Sequence, residues 1–486
     1  MKILVFATSV FILAGGLYYW QNKTPDTWVA NFQRIGTFSS PVVADLNNDG
    51  ELDVIIAAGG AEFERVDTAL IALDGASGQV LWAVGASDQL ISNPVLLNLN
   101  DDTTDDIIVG GRSGQLMAFD GRTGNLLWNF AQEQTLPYPL YNFYTPAPVG
   151  DRNGDGIPDL VVAQGGNVQK KPFEVDRPAG MLMLISGADG KLMVADYMPD
   201  GKETYMSPAT RQHGEDTLVY FGSGGETIEG HFYCVSLNAF EREGLTSARV
   251  LVSAEHKGFI APPVFTDLNR DGHSDILVNA VEGKLIALDG TDHQTLWEVD
   301  RDSMEVYTSP AVGHFNNDAV PDVFVNFGKG IWPDMLACRQ LAIDGSNGKI
   351  LFEDSLSFFS MSSPITIDIN GDGKDEALLS INFRPQKKTS TGVSFSNEVH
   401  NKLMAFDIAR NKQLRLDVKM PGPNAAVTPL LDDLDVDGKT DLIFAYQTDA
   451  YHMGQFNGMR IFRKELDIPT KRIQQGGYLV QAALPE

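Results

Sequence analysis

Residues Val42–Ala57 read V-V-A-D-L-N-N-D-G-E-L-D-V-I-I-A, and this stretch decides the fold because it recurs along the chain. Oxygen-bearing side chains stand at positions 1, 3, 5 and 9 of a loop that begins at Asp45, with Gly50 at position 6. Alternate residues of a tight loop point inward and glycine permits a sharp turn, so the pattern predicts a Ca²⁺-binding loop. Helix–loop–helix calcium loops place a glutamate at position 12, whereas this loop leads at once into the apolar run Val54–Ala57. The pattern therefore predicts a strand–loop–strand cation site.

Four further copies keep the spacing, at Asp151–Asp159, Asp267–Asp275, Asp368–Glu376 and Asp433–Asp441. Two degenerate copies, Asn98–Asp106 and His314–Asp322, have Thr103 and Ala319 at position 6. We predict about five calcium sites, or seven if the degenerate copies also bind. The ions are expected to stiffen the loops rather than to act in catalysis. The predicted ligands of the strong copies are Asp45, Asn47, Asp49, Asp53, Asp151, Asn153, Asp155, Asp159, Asp267, Asn269, Asp271, Asp275, Asp368, Asn370, Asp372, Glu376, Asp433, Asp435, Asp437 and Asp441.

A proline marks the start of each repeat, roughly every 55 residues. Each unit holds four short strand-like runs joined by Gly, Asn, Asp and Ser, which are common turn residues. Four strands per unit at this period predict a β-propeller. Eight units predict eight blades; seven is the alternative, because the unit at Pro208 has no acidic loop. The marking prolines are Pro41, Pro94, Pro146, Pro208, Pro262, Pro310, Pro364 and Pro429.

The ends of the repeat predict how the ring closes. Thr27–Phe32 resembles the fourth strand of a blade and precedes the first unit, while the last unit lacks such a strand. We therefore expect the N-terminal strand to complete the last blade, with Tyr478–Ala483 as its competitor. The expected organisation is an N-terminal targeting segment over residues 1–24 and one propeller domain over residues 25–486.

Composition limits the class of function. The net charge of −27 argues against nucleic-acid binding, because few basic groups are available to neutralise phosphates. Cys234 and Cys338 lie in different units, which favours two unpaired buried thiols over a disulfide or a functional thiol.

The N-terminal segment predicts passage across or into a membrane. Lys2 is followed by the mostly apolar run Ile3–Trp20, just long enough to span a bilayer core. Its terminal aromatic residues suit a membrane interface. The absence of a clear cleavage site favours an uncleaved anchor over a cleaved signal peptide. The propeller is expected outside the cytoplasm, in the periplasm or at the cell surface, and secreted if the segment is cleaved.

The loop-plus-strand unit resembles the FG-GAP/VCBS repeat of integrin α-subunit propellers and of many bacterial surface proteins. A second pattern resembles the tryptophan-docking motif of quinoprotein (PQQ-type) propellers. Its copies are A-L-D-G-A-S-G-Q-V-L-W at Ala72–Trp82, A-F-D-G-R-T-G-N-L-L-W at Ala118–Trp128 and A-L-D-G-T-D-H-Q-T-L-W at Ala287–Trp297, with a Phe variant at Ala342–Phe352. This resemblance implies eight blades, tryptophans packed between blades, and an Asp-Gly turn between the third and fourth strands.

Aromatic residues mark a second candidate site. The residue three before each marking proline should stand where the chain enters the innermost strand, and five of these eight residues are aromatic. They can form packing around the channel or a rigid ligand platform. Long loops between second and third strands should open on the same face, away from the acidic loops. The ligand-face candidates are Tyr144, Tyr205, Phe259 and Tyr307.

These patterns favour a non-enzymatic, membrane-anchored, calcium-stabilised propeller that binds a protein or glycan partner on its long-loop face. No catalytic motif groups the eight histidines, and we assign no catalytic residue. The alternative is an enzyme, either a quinoprotein oxidoreductase or a polysaccharide-active propeller. PQQ-dependent alcohol dehydrogenases carry an adjacent cysteine pair, which this sequence lacks. A structural subunit of an envelope complex is the third possibility.

Overall fold

The computed structural model describes residues 27–478, except 101, 134–135, 168, 172, 332–333, 390–391, 417 and 419. The N-terminal segment at residues 1–24 lies outside the described residues. Within the described part of the chain, no helix is both long enough and apolar enough to cross a membrane.

The described chain forms eight blades around a central channel, each with four antiparallel strands. Blades 1 and 2 contain β2 (Val42–Ala44), β3 (Asp53–Ala57), β4 (Val66–Leu73) and β5 (Val80–Ala86); then β6 (Val95–Leu97), β7 (Asp106–Gly110), β8 (Leu116–Phe119) and β9 (Leu126–Asn129). Blades 3 and 4 contain β10 (Asn142–Phe143) with β11 (Ala147–Val149), β12 (Asp159–Gly165), β13 (Met181–Ile185) and β14 (Leu192–Tyr197); then β15 (Ala209–His213), β16 (Asp216–Gly222), β17 (His231–Ser236) and β18 (Arg249–Ser253).

The second half of the ring repeats this order. Blades 5 and 6 contain β19 (Val264–Thr266), β20 (Asp275–Ala280), β21 (Lys284–Leu288) and β22 (Thr295–Asp300); then β23 (Met304–Glu305) with β24 (Ala311–Gly313), β25 (Asp322–Ile331), β26 (Asp334–Ile343) and β27 (Ile350–Asp354). Blades 7 and 8 contain β28 (Ile365–Ile367), β29 (Glu376–Phe383), β32 (His400–Asp407) and β33 (Lys412–Arg415); then β34 (Leu430–Asp432), β35 (Lys439–Gln447), β36 (Gly458–Pro469) and β1 (Thr27–Gln33).

A few elements lie outside the four-strand pattern. The hairpin of β30 (Gln386–Thr389) and β31 (Gly392–Phe395) extends from blade 7, and β37 (Ile473–Gln475) adds to the inner edge of that blade by pairing with β28. Two short helices, α1 (Phe130–Glu133) and α2 (Leu237–Glu243), follow strands of blades 2 and 4. The 3₁₀ turns are Gly244–Ser247 and Thr470–Arg472.

Eight blades and closure by the N-terminal strand are therefore confirmed. β1 pairs with β36 from Thr27 opposite Lys464 to Gln33 opposite Gly458. The competing segment does not take this place: Tyr478 lies at the channel, and residues 479–483 are outside the described residues.

Burial explains the strand patterns. Second strands such as β3 and β7 are buried along their whole length, because neighbouring blades cover both faces, and they are continuous apolar runs. Outermost strands such as β5 alternate between exposed and partly buried residues. Hydrophobic clusters fill every junction between adjacent blades, and one cluster joins blades 7, 8 and 1 across the closure. The core is thus a ring of inter-blade layers.

Tryptophans connect blades through a repeated hydrogen bond. The Nε1 of Trp82 donates to the carbonyl of Gly121 at 2.9 Å, and Trp128 donates in the same way to Gly187 at 2.8 Å. Trp297 donates to Gly345 at 2.6 Å. Trp28 of β1 donates to Gly75 at 2.8 Å, so the same contact also joins blade 8 to blade 1. Each acceptor belongs to the Asp-Gly turn of the following blade or its equivalent.

Candidate functional site: acidic loops, channel mouth and long-loop face

The strong acidic loops share one backbone geometry. Position 6 is a glycine with φ between 80° and 91° in all five copies, and position 4 also has a positive φ in every copy. Thr103 and Ala319, at position 6 of the degenerate copies, do not adopt this left-handed conformation. Position 1 closes the turn: the carboxylate of Asp45 accepts from the backbone N–H groups of Asp49 and Gly50. The distinction between strong and degenerate loops is thus a difference in backbone conformation.

Position 9 joins each loop to the body of its blade. Asp53 accepts a hydrogen bond from the N–H of Leu46 at 3.0 Å and another from the N–H of Gly75, also at 3.0 Å. Burial, together with the nearby carboxylates of Asp49 and Asp74, raises the pKa of Asp53 to about 6. The two backbone hydrogen bonds oppose this rise in pKa. A carboxylate accepts through about four lone pairs, so Asp53 retains capacity for a cation.

The structure adds an acidic residue that the repeat did not predict as a ligand. The Asp of the Asp-Gly turn approaches the acidic loop of its own blade: Asn269 Nδ2 is 2.8 Å from Asp289 Oδ2. In blade 6, the carboxylates of Asp318, Asp322 and Asp344 lie within 4.8 Å of one another. The sequence signal is the Asp-Gly pair that follows the third strand in several units, which the sequence pattern assigns to the turn alone.

In the last acidic loop, an arginine side chain lies among the carboxylates. Arg463 of β36 is fully buried, and its Nε lies 2.7 Å from Asp441 Oδ1. Its Nη2 lies 2.9 Å from Asp435 Oδ2, and its Nη1 donates to the carbonyl of Gly75. The guanidinium thus binds the carboxylates at positions 3 and 9 and also contacts the next blade. No pattern within the loop sequence indicates this partner, because Arg463 lies 22 residues after Asp441.

The loops fit a hard divalent cation in donor type and geometry. Carboxylate and amide oxygens are the ligands that Ca²⁺ prefers. In the third blade the Nδ2 of Asn153 stands 2.8 Å from Asp155 Oδ2, and rotation of this amide would turn its oxygen toward a cation held there. Carboxylates at positions 1, 5 and 9 would supply the remaining side-chain ligands. In the last loop, the carboxylates at positions 3 and 9 already face Arg463.

Three of the four aromatic candidates line the upper part of the channel. Tyr144, Tyr205 and Tyr307 line a cavity of about 170 Å³, together with Phe38 and Tyr478. Phe259 is a correction: it is fully buried against Phe232, with 5.9 Å between ring centroids, and Ile260 lines the cavity instead. The repeat in blade 5 is aligned by Pro263, which precedes β19, whereas the sequence prediction counts from Pro262. Phe143 is buried for a related reason. In blade 3 the channel-lining aromatic residue is Tyr144, which stands two residues before Pro146 instead of three.

Hydroxyl and amide side chains form a polar belt below these rings, defined by Ser363, Thr428, Ser40, Asn93, Thr145 and Ser207. For the first five of these residues, the backbone N–H donates to the side-chain oxygen of the belt residue in the following blade. The donor–acceptor distances run from 2.6 Å for Ser40 to Asn93, to 3.2 Å for Thr145 to Ser207. The other three bonds are Ser363 to Thr428, Thr428 to Ser40 and Asn93 to Thr145. Pro262 occupies the equivalent place in blade 5, where the belt has neither an N–H nor a hydroxyl.

Charged groups converge on the channel mouth. The hydroxyl of Tyr205 donates to Glu203 Oε2 at 2.9 Å, and Arg177 Nη1 lies 3.2 Å from that hydroxyl. Burial raises the pKa of Glu203 to about 7; Tyr205 and Arg177 oppose this rise in pKa, and Glu226 adds to it. Blade 6 repeats the arrangement, because Tyr307 donates to Glu305 Oε2 at 2.6 Å and Lys257 pairs with the same carboxylate.

The mouth does not fit a pyrroloquinoline quinone. A cavity of about 170 Å³ is smaller than the roughly 300 Å³ at which pockets for such ligands begin. The quinone carries three carboxylates, whereas the mouth presents Glu203, Glu226 and Glu305, and Arg177 and Lys257 already pair with two of them. Cys234 and Cys338 are free, buried and located in different blades, as expected, and burial raises the pKa of each thiol to about 11.

The long-loop face carries an apolar groove of about 670 Å³ between blades 6 and 7, which we call the hairpin groove. Leu336 of β26 and Phe395 of β31 are 70% and 65% exposed at its edges. The rings of Phe358 and Phe383 line it, and the Arg384 guanidinium lies 5.3 Å from the Phe358 ring centroid. The hairpins that form it belong to the long loops predicted to open on this face. The signal for the groove itself was weak, since both hairpins mix apolar and polar residues.

Comparisons with known proteins agree with this architecture. Among solved structures, quinohemoprotein alcohol dehydrogenase from Comamonas testosteroni superposes with a TM-score of 0.55 at 12% identity, covering 96% of this chain and 80% of that protein. A europium-containing methanol dehydrogenase superposes with a TM-score of 0.55 at 12% identity, covering 91% of this chain and 94% of that protein. At this identity the likeness concerns the fold alone.

Sequence relatives point to another group. Protein FAM234A of Bos taurus is 23% identical over 68% of this chain and 60% of its own length, and FAM234B of Gallus gallus is 23% identical over 68% of this chain and 55% of its own. The chain therefore spans less than two thirds of the length of these relatives. The FG-GAP and quinoprotein resemblances remain predictions from the repeats. Residues 28–223 match the family described as FAM234A/B beta-propeller, and the chain is similar to that family within an eight-bladed propeller.

Proposed function

We propose that this chain is a non-enzymatic, calcium-stabilised propeller that binds a protein partner on its long-loop face, held outside the cytoplasm by its N-terminal segment. The observation that carries the proposal is the hairpin groove, where Leu336 and Phe395 expose most of their surface. Contiguous exposed apolar surface rimmed by polar groups is typical of protein interaction sites. An aliphatic residue at the most exposed edge favours a protein over a glycan.

The charged groups beside the groove indicate the chemistry of the expected partner. The chain carries a net charge of −27, yet two cations lie beside the rings that line the groove. Arg384, which also lines the groove, is 5.3 Å from the ring centroid of Phe358, and Lys402 is 5.3 Å from that of Phe383. Cations beside apolar rings suit a partner segment in which apolar side chains alternate with acidic ones. Long-range repulsion from the rest of the surface would oppose any other acidic approach, so this patch also supports specificity.

Calcium is part of the proposal. Four strong loops would each hold one ion through the carboxylates and amide at positions 1, 3, 5 and 9. In the fifth loop Arg463 already neutralises Asp435 and Asp441, so we infer that this loop does not need an ion. The ions would brace the face opposite the partner site.

Photo-cross-linking tests the partner site. A benzophenone amino acid placed at Leu336 should cross-link one protein in intact cells, while the same group at Val250, which is 50% exposed on the outer strand β18, should not. With that protein purified, Leu336→Asp should weaken binding by at least about tenfold. Val250→Asp is the matched control and should have no effect on affinity.

Three outcomes would overturn the assignment. Equal cross-linking from both positions would show that the groove is not selective. Retention of a glycan by the purified chain, abolished by changes at the channel mouth but not by Leu336→Asp, would move the site to the mouth and favour a glycan ligand. A mouth-dependent redox or glycan-cleaving activity would replace the non-enzymatic proposal by the enzyme alternative.

A further inference from the structure

The central channel is divided into two compartments by Tyr478. This residue lines both the upper cavity of about 170 Å³ and a lower cavity of about 660 Å³, which we call the lower channel pocket. The segment before it is held from two sides: β37 pairs with β28, and the carbonyl of Gly476 accepts from the N–H of Leu431 at 2.7 Å. Tyr478 therefore follows a segment held by backbone hydrogen bonds to blades 7 and 8, and it lies where the two cavities meet.

The wall of this pocket is mostly apolar. Val42, Val95, Phe265 and Leu430 come from the innermost strands of four blades. The pocket volume lies within the roughly 300–1,000 Å³ of small-molecule sites, which combine apolar walls with a few polar groups. The innermost strands run from the polar belt to the acidic loops, so the pocket opens on the face opposite the hairpin groove.

One carboxylate lines this apolar wall. Asp432 ends β34, and its Oδ1 accepts from the N–H of Asp433 at 2.8 Å. Within the described part of the chain it forms no ion pair with a Lys, Arg or His side chain. A charge among apolar groups is stabilised by an opposite charge that is brought to it. The acidic loops around the opening further raise the local concentration of cations.

We propose that the lower channel pocket binds a small ligand that has an apolar body and one cationic amine, with Asp432 pairing with the amine and Tyr478 closing the pocket. This site is independent of the proposed partner surface, because it lies on the other face and uses different residues. The amine enters from the acidic-loop side, and the apolar body packs against Val95, Phe265 and Leu430.

Two matched probes test the proposal on the full chain with saturating Ca²⁺. Tryptamine carries an indole body and one amine, and tryptophol carries a hydroxyl in place of that amine. Calorimetry should give binding of tryptamine that is at least about tenfold tighter than that of tryptophol, since a charge-assisted hydrogen bond is roughly twice as strong as a neutral one. Asp432→Asn should reduce the affinity for tryptamine to that for tryptophol, and it should leave the affinity for tryptophol unchanged.

Two controls locate the site. Asp467→Asn makes the same change in net charge at an exposed position of β36 and should leave tryptamine binding intact. Ala209→Trp fills the pocket from β15 and should abolish binding of both probes, with an unchanged melting temperature as the check on folding. The absence of tryptamine binding at about 1 mM ligand, an order-of-magnitude limit for a weak small-molecule site, would overturn the proposal. Binding that survives both Asp432→Asn and Ala209→Trp would overturn it as well.

Discussion

Position 4 of every strong acidic loop has a positive φ, and its occupants differ in how well they tolerate that conformation. Glycine and asparagine adopt it easily, but Val436 in the last loop has a φ of 55° with a β-branched side chain. The side chain is 71% exposed, so little packing offsets the strain. The loop geometry, rather than the preference of the residue, determines the backbone here.

We therefore expect Val436→Asn to stabilise the protein by about 1 kcal/mol, because asparagine tolerates the left-handed region and occupies the same position at Asn48. Thermal unfolding should show a rise of roughly 1–2 °C in a protein of this size. Val250→Asn, in extended backbone, is the control and should not raise the melting temperature. An equal rise in both variants would show that the stabilisation comes from replacing an exposed valine by a polar side chain, and not from the backbone conformation at position 436.

Glu203 gives the channel mouth a dependence on pH. Its pKa is raised by burial to about 7 in the folded protein, against 4.5 for an ordinary glutamate. The folded state thus holds the proton more tightly, so the stabilising effect is complete below pH 4.5 and is lost as pH rises toward 7. Tyr205, Arg177, Glu226 and Tyr144 are the ionisable groups that face it.

Substitution by Glu203→Gln should remove this component of the pH dependence. The wild-type protein should lose up to about 3 kcal/mol from this group between pH 4.5 and pH 7.5, and the variant should not. Urea unfolding at several pH values measures the difference. A constant gap between wild type and variant across this range would show that Glu203 is ionised throughout.

At the scale of the element, the capacity of an acidic loop to bind a cation depends on the backbone turn at its position 6. Asp155 at position 5 accepts from the N–H of Ile157 and from Asn153, next to the left-handed Gly156. Asp102 in the degenerate copy accepts from Thr104, in a loop without that turn. The two aspartates therefore differ in the cation site they could support.

In excess calcium, Asp155→Ala should lower stability more than Asp102→Ala, by roughly 2–3 kcal/mol if it removes one bound ion. In EDTA the two variants should become similar, because each then loses only loop hydrogen bonds. Differential scanning calorimetry in both buffers provides the comparison. Equal losses in calcium would show that the degenerate loop binds as well as the strong one.

The elements were predictable where a local pattern repeats, and not where the partner is distant. The acidic loops, the four-strand units and the closing strand all repeat a short signal, and the structure has eight blades in that order. Arg463 gave no such signal, since its partners are a loop on the preceding strand connection and a turn in blade 1. Phe259 was misplaced by counting from the first of two adjacent prolines, because a one-residue shift exchanges the buried and channel-facing sides of a strand.

At the scale of the whole molecule, we expect cations bound in the acidic loops to offset part of the net charge of −27. Chelation should lower the melting temperature sharply and Ca²⁺ should restore it, since each ion at a hundredfold excess over its Kd adds about 2.7 kcal/mol. Elemental analysis should find four ions in the strong loops. An unchanged melting temperature in EDTA, with no metal in the purified protein, would remove the calcium proposal.

Arg463→Met separates the roles of the ion and the guanidinium. Without calcium the variant should be destabilised by about 3–5 kcal/mol, because Asp435 and Asp441 lose their buried partner. In calcium it should recover in part and bind one more ion than the wild type. If the ion count stays the same, the last loop is not a cation site even when the arginine is absent.

The pairing of β1 with β36 has a consequence for biosynthesis. Asn31 and Arg460 are 429 residues apart, so the first strand of the propeller to leave the ribosome acquires its partner only after the intervening blades have been made. At about 5–20 residues per second this takes roughly 20–90 s. During that interval β1 is an unpaired edge whose Trp28 has no strand beside it, and open strand edges recruit other chains. A nascent-chain chaperone would protect this protein most by remaining at β1 until β36 has emerged from the ribosome.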